Sequence, residues 1–210
     1  MRSTKRNDGP MIKTIKYIDF HDVIECLIAA VEARDPYTSG HSTRVADISL
    51  SLAQAMGFRG GPLETIHMAA HMHDIGKIGV PDEVLTKEGS LTDAEWRLIQ
   101  MHPRIGYDIL SRSEALSDIA DIVLHHHERW DGKGYPFGLK GDAIPLGSRI
   151  IAVADAIDAM LSPRPYREAM TVDACMHQIQ INSGTQFDRR IALLALESMP
   201  KNPIYHTRSL

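Results

Sequence analysis

The stretch HHHERWDGKGYP, residues 125–136, sets three histidines and an acid in front of a glycine-rich turn. Imidazole at that density is either packed into a core or gathered around a cation. Two further places carry similar chemistry. In AHMHDIGKIG, residues 70–79, His73 and Asp74 are adjacent and are followed by Lys77 between Gly76 and Gly79; in ADAID, residues 154–158, two acids lie three apart. His41 follows Gly40 and His102 precedes Pro103, at breaks where the backbone can aim a side chain inward. These residues form a mixed nitrogen and oxygen donor set with no thiolate, which suits Fe, Mn, Zn or Ni. A carboxylate buried without a partner costs on the order of several kcal/mol, so an inward acid must meet a cation or strong donors. A metal ion would serve acids and imidazoles together.

The elements that must position these groups are helical almost throughout. Val23, Ile24, Leu27, Ile28 and Val31 mark a helix ending near Asp35-Pro36, because the residue before proline disfavours the α conformation. A second runs from near His41 through Val45, Ile48, Leu52 and Met56 to Gly57, and a third from near Pro62 to His73. Thr92 to Glu95 fits a capping box opening a fourth, which Pro103 kinks or restarts. Further helices are expected over about 115–129, 147–161, 171–183 and 188–198. On the first of these, Ile119, Ile122 and Val123 continue at i+3 and i+4 spacing to His126 and His127, placing both on the buried face. His125 falls off that stripe and is expected at the surface or behind the inward pair. On the helix from 147, the stripe Ile151, Ala154, Asp155, Asp158 puts two carboxylates on or beside the inward face. Adjacent helical residues diverge by about 100°, so His73 and Asp74 can share one ion only at a helix end. No alternating run is long enough for a sheet. The expected fold is an all-α bundle with one long Gly/Pro-rich loop over about 130–146, a length that favours a functional role.

Composition narrows the function classes. The chain has 210 residues, enough for one buried core, with 43% apolar and 24% charged residues, which argues against disorder. Net charge is −4 with histidines neutral and there is no long Lys/Arg run, so binding to long nucleic acid is not expected. An anionic substrate would then need local positive charge, and eleven histidines make metal ions its source. The apolar stretch RIIAVADAIDAML is interrupted by Asp155 and Asp158, so no membrane span is expected, and the basic N-terminus leads into no signal-type apolar region. Cys26 and Cys175 form no disulfide framework and are both expected to be buried small hydrophobes, with a reducing cytoplasm as the compartment.

In this order the pieces resemble the HD-GYP domains, a branch of the HD superfamily of metal-dependent phosphohydrolases. The resemblance runs from about Glu32 to Asp188 through EARDPYTSGHSTRVA, HDIGKIGVPDEVL, MHPRIGYDIL, HHHERWDGKGYPFGLKGDAIPLGSRIIAVADAIDAM, RPYR and SGTQFD. A lone HD dipeptide means little; six ordered motifs are specific. The resemblance implies an HD-domain helical bundle over 19–199 and says nothing of residues 1–18; these read as a mobile leader, residues 200–210 read as a loose tail, and no receiver or sensor domain is expected. It implies hydrolysis of cyclic di-GMP to linear pGpG, and in some members to GMP. The implied metal ligands are His41, His73, Asp74, His102, His126, His127 and Asp155, with Asp74 bridging two divalent transition metals, iron or manganese first, zinc or nickel next. Lys77 resembles the lysine that stabilises developing charge or protonates the leaving oxygen. Arg164 and Arg167 resemble a phosphate-contacting pair, and Tyr135 belongs to the namesake Gly-Tyr-Pro loop. Some members hold a third metal through a glutamate four residues before the histidine matching His41; Tyr37 stands there, which implies two metals.

Such a centre suits phosphodiester hydrolysis, because two ions about 3.5 to 4 Å apart neutralise the nonbridging oxygens and acidify a water. Trp130 and Tyr135 are candidates to stack on guanine, with a core role the plainer alternative for Trp130. The motifs leave open a cyclic dinucleotide such as 3′3′-cyclic GMP-AMP, a nucleotide monophosphate substrate, and a non-hydrolysing module that senses the dinucleotide or docks a diguanylate cyclase domain through the Gly-Tyr-Pro loop.

Overall fold

The computed structural model describes residues 20–34, 39–163 and 168–205. Its axis is α8 (Leu146–Leu161), whose Ile150, Ile151, Val153, Ala154, Ile157 and Leu161 are buried on nearly every side. A helix apolar around most of its circumference belongs at the centre of a bundle. Around it pack α2 (His41–Ala55), α3 (Gly60–Met72), α7 (Ser117–Leu124), α9 (Val172–Ile181) and α10 (Arg189–Ser198). Helix α1 (Phe20–Glu32) lies along α3, and α6 (His102–Leu110) packs on α7. Among the described residues no strand forms; the one isolated bridge joins Ser183 and Phe187. No helix among them is long and apolar enough to cross a membrane.

Several local expectations need revision. The helix expected over 115–129 stops at Leu124, and residues 125–127 form a turn, so His126 and His127 face inward from beyond the helix end rather than from its stripe. Of the two outcomes expected at Pro103, a kink or a restart, the restart is found: Thr92 opens α5 (Asp93–Ile99), and α6 begins anew with Pro103 in its first turn, where its missing N–H costs nothing. The short α4 (Asp82–Leu85) carries no amphipathic period from which it could be read. Cys175 is buried, but Cys26 lies on the exposed side of α1. The tail is not loose up to residue 205: Tyr205 is 1% exposed within the core, and the Asn202 amide donates to Ser51 Oγ at 3.2 Å. The 1–18 leader, Tyr37 and both Arg164 and Arg167 lie outside the described residues.

The closest backbone approach holds the two halves of the site together. Gly76 sits in a 3-10 turn (Ile75–Gly79) that follows α3, and a methyl group there would land on the His102 carbonyl and the Gly106 amide of α6. Only glycine lets the turn carrying Asp74 and Lys77 lie against the start of α6.

Helix α5 is fixed at its start by a full capping box. Thr92 Oγ1 accepts from the Glu95 amide at 3.3 Å, while Glu95 Oε2 accepts from the Thr92 amide at 2.7 Å, and Lys87 Nζ reaches the same carboxylate at 2.7 Å. Lys87, and then the Thr92 amide, hold the Glu95 carboxyl down to about 2 against an ordinary 4.5. A depressed carboxyl contributes stability above its unfolded value and loses it as pH falls toward the folded one. The melting-temperature deficit of Glu95→Gln should therefore be largest above about pH 5 and close as pH falls toward about 2. A deficit that is constant across that range in thermal denaturation would contradict the assignment.

Candidate metal centre

Three helices end at histidines, and their ends aim the rings. The last carbonyls of a helix lack intrahelical donors. His73, directly after α3, donates from Nδ1 to the Ala70 carbonyl at 2.8 Å. His102, three residues beyond Ile99 at the end of α5, donates to the Ile99 carbonyl at 2.8 Å, and His126, two residues past α7, donates to the Val123 carbonyl at 2.6 Å. Placing the proton on Nδ1 leaves the Nε2 lone pair of each ring directed at a common space, which is the arrangement a metal ligand needs. His41 reaches the same state by another route. It opens α2, and its Nδ1 donates to Asp158 Oδ2 at 2.8 Å.

Asp74 stands between these rings. Its Oδ1 is 3.3 Å from His102 Nε2, and its Oδ2 is 3.4 Å from His73 Nε2, 3.7 Å from His41 Nε2 and 2.6 Å from Lys77 Nζ. Asp155 Oδ1 lies 3.4 Å from His41 Nε2. The donors fall into two groups: Asp74, His102, His126 and His127 in one, and His41, His73 and Asp155 in the other, with the ligand atoms of each group within 4.8 Å of one another. All seven residues singled out as ligands thus converge, although they come from five separate segments of chain.

The donor set fits divalent transition ions on two observations. His102 Nε2 and His126 Nε2 lie 3.2 Å apart, and since both rings carry their proton on Nδ1, two lone pairs face each other. His73 Nε2 is buried with no hydrogen-bond partner among the described residues. A cation relieves both conditions at once. The electrostatics agree. Burial, and next the neighbouring His127, hold His126 well below the ordinary imidazole value; burial and then His102 take His127 down to about 3. Burial also lowers His102, against the pull of Asp74. These rings are neutral at pH 7, the form that binds metal. Burial opposes charge on Asp74 as well, yet Lys77 holds its carboxyl well below the usual range.

Around the donors stand residues whose roles were not legible in the sequence. Asp158 is 1% exposed and answers the requirement that an inward acid meet strong donors: besides His41, its Oδ1 accepts from Arg44 Nε at 2.8 Å. Asp155, one turn earlier, faces the imidazoles. Glu32 at the end of α1 accepts from the Gly40 amide at 2.7 Å and the Ser42 amide at 2.9 Å, tying down the first turn of α2 beside His41. Arg34 then reaches the carbonyls of Lys77, Ile78 and Val80 at 2.7 to 3.0 Å, bracing the turn behind Lys77. Glu128, the acid of HHHE, is 3% exposed and accepts from the Phe137 and Leu139 amides at 2.7 and 3.0 Å. An acid set between histidines and a glycine-rich turn is the one signal that pointed to it.

The 128–140 segment forms one wall of the site. A side chain at Gly134 would strike the backbone of Glu128 and Arg129, so glycine permits the segment to fold flat on itself. Tyr135 consequently stacks on His127, with ring centroids 4.8 Å apart, and meets Trp96 edge-on. Trp130 is half-buried and lies outside the core; it packs under the Arg149 guanidinium, 5.5 Å from its ring centroid. His125 is neither at the surface nor among the donors. It is buried, donates to the Asp121 carbonyl at 2.8 Å and lies against Phe137. Between His126, His127, Asp155, Arg129 and Gln186 an open cleft of about 230 Å³ leads to the donors.

Residues 25–191 match the family model described as HD domain. The chain belongs to the HD domain family. Within it, the HD-GYP resemblance holds. This HD domain is 46% identical over 171 residues to the cyclic di-GMP phosphodiesterase response regulator RpfG of Xanthomonas campestris pv. campestris, covering 80% of this chain and 45% of that protein. It is 40% identical over 169 residues to 3′3′-cGAMP-specific phosphodiesterase 3 of Vibrio cholerae, covering 79% and 37% respectively. Among solved structures, a cyclic GMP-AMP specific phosphodiesterase of V. cholerae superposes with a TM-score of 0.66 at 20% identity, over 88% of this chain and 49% of that one, a likeness of fold. The chain spans under half the length of each of these three proteins.

If Asp158 fixes the His41 ring, Asp158→Asn should weaken metal affinity by about 10- to 100-fold, the range for residues that orient a ligand. Competition titration against a chromophoric chelator measures this, and unchanged affinity would remove Asp158 from that role.

Proposed function

We propose that this chain is a metal-dependent phosphodiesterase of the HD-GYP type that hydrolyses cyclic di-GMP to linear pGpG. The observation that carries the reading is the pair of donor groups flanking Asp74 beside an open cleft. The relative of highest identity named above is a cyclic di-GMP phosphodiesterase, matched over 80% of this chain.

His102, His126 and His127 would hold one ion and His41, His73 and Asp155 the other, with one oxygen of Asp74 for each. Seven ligands for two ions leave coordination positions open, as a catalytic site requires. Iron or manganese is the preferred pair on the family resemblance, and zinc or nickel suits the same donors. Bound there, two divalent ions supply positive charge for the nonbridging phosphate oxygens and an acidified water. Lys77, 2.6 Å from Asp74, would stabilise the leaving oxygen and give it a proton. Tyr135 keeps its proton, because burial and then the charge of Asp74 raise its phenol; it serves as a donor and as an aromatic wall against the base or ribose. Arg164 and Arg167 would grip phosphate with their planar forks. The Gly-Tyr-Pro segment is then the loop that shapes the pocket and, with Phe137 56% exposed, offers a surface for a diguanylate cyclase domain.

A second reading, turnover of 3′3′-cyclic GMP-AMP, is favoured by the V. cholerae relative of that specificity. Side-by-side turnover of the two dinucleotides and of nucleotide monophosphates by anaerobically purified protein, with products separated by chromatography, ranks these substrates. Cyclic di-GMP should be cleaved fastest. Asp74→Ala should abolish cleavage and metal retention at this centre together, and cleavage surviving that substitution would end the proposal. Tight binding of cyclic di-GMP without turnover by metal-loaded protein would instead identify a sensor. Arg164→Ala should raise KM several-fold with metal content unchanged; loss of metal would make the residue structural instead.

A further inference from the structure

A second group of imidazoles lies away from the donors described above. His67 and His71 are separated by one turn on α3, and His21 of α1 faces them. Ring centroids are 4.7 Å apart for His67 and His71, 5.0 Å for His21 and His71, and 5.8 Å for His21 and His67. One nitrogen from each lies within 4.8 Å of the other two. His71 and His73 differ by about 200° around the helix axis, so this trio occupies the side of α3 opposite the ligand His73.

Ordinary packing does not account for the trio well. His73, His102, His125 and His126 each satisfy a ring nitrogen on a backbone carbonyl. His67 and His71 make no side-chain hydrogen bond to any described residue, although His71 is 2% exposed. Imidazoles at i and i+4 on one helix face, met by a third from a facing helix, are a three-nitrogen chelate with an open side. Glu25, one turn from His21 with Oε1 3.7 Å from its Nδ1, supplies a carboxylate at the rim. Zinc with bonds of about 2.0 to 2.1 Å needs its nitrogens about 3.3 Å apart, so the half-buried rings of His21 and His67 must close inward by roughly 1 Å.

We propose that His21, His67 and His71 form a separate site for a single transition-metal ion of the zinc class, which clamps α1 onto α3. Helix α1 ends in Glu32, which caps the turn bearing His41, and is followed by Arg34, which braces the turn bearing Lys77. An ion at the clamp would therefore fix the struts of the neighbouring centre without touching its donors. The site does not depend on the reaction proposed above.

The test uses the full chain, stripped with chelator, reloaded with Zn²⁺ alone and desalted, with zinc per chain measured by elemental analysis. Asp74→Ala should retain about one ion, and the double variants Asp74→Ala/His67→Gln and Asp74→Ala/His21→Gln should lose it. Zn²⁺ should raise the melting temperature of Asp74→Ala and leave both double variants unmoved. His21 lies at the rim, so His21→Gln separates loss of a ligand from loss of fold: its metal-free melting temperature should equal that of its parent. Zinc retained equally by Asp74→Ala and by both double variants, or absent from Asp74→Ala, would overturn the proposal. Loss of cleavage activity by Asp74→Ala reports on the other centre and leaves this result distinct.

Discussion

The site depends on one constraint: a helix must end where its carbonyls can take a proton from an imidazole. His73, His102 and His126 each use Nδ1 to satisfy a terminal carbonyl, and each consequently turns a bare Nε2 toward Asp74. The same bond completes the helix and fixes the tautomer. Were those helices to run one turn further, the carbonyls would find backbone donors and the rings would lose both their anchor and their direction. Bundle and centre are thus one design, in which the stops matter as much as the rods.

Charge balance follows from that arrangement. Burial keeps His102, His126 and His127 neutral, while Lys77 keeps Asp74 ionised within 8% residual exposure. His41 is the exception among the rings. Burial opposes its charge, but the bond to Asp158 and the proximity of Asp155 and Asp74 outweigh that and raise its affinity for a proton. The two donor groups therefore differ in character: one is dominated by neutral imidazole, the other is richer in negative charge. Two ions held there would not be equivalent.

Much of this was legible in the sequence. The apolar period gave the helices, and the break-associated histidines are among those the structure gathers into two clusters that could hold metal, because burying imidazole and carboxylate together is worthwhile only with a cation or a full set of hydrogen bonds. The failures have physical causes. The stripe from Ile119 to Val123 could be extended to His126 and His127 on paper, yet the chain leaves the helix at Leu124, since periodicity records which side is buried and not where hydrogen bonding stops. Glu32 and Arg34 act through backbone amides and carbonyls of remote segments, and such partners leave no trace in residue type; Glu128 was marked only by its setting between histidines and a glycine-rich turn. The tail was read as loose because polar residues dominate 201–210, yet the Tyr205 ring fills the core. The imidazoles on α1 and α3 escaped notice for a related reason: His67 and His71 show a helical spacing, but His21 joins them only through packing.

The bond between His41 and Asp158 spans 117 residues of chain. Closing a loop of that size carries an entropy cost that contacts distant along the chain must repay. In small zinc modules the ion organises a chain that is otherwise unfolded. Here hydrogen bonds of the polypeptide itself already hold the rings in place. Ions bound there would enter a cavity whose ring directions are set without them.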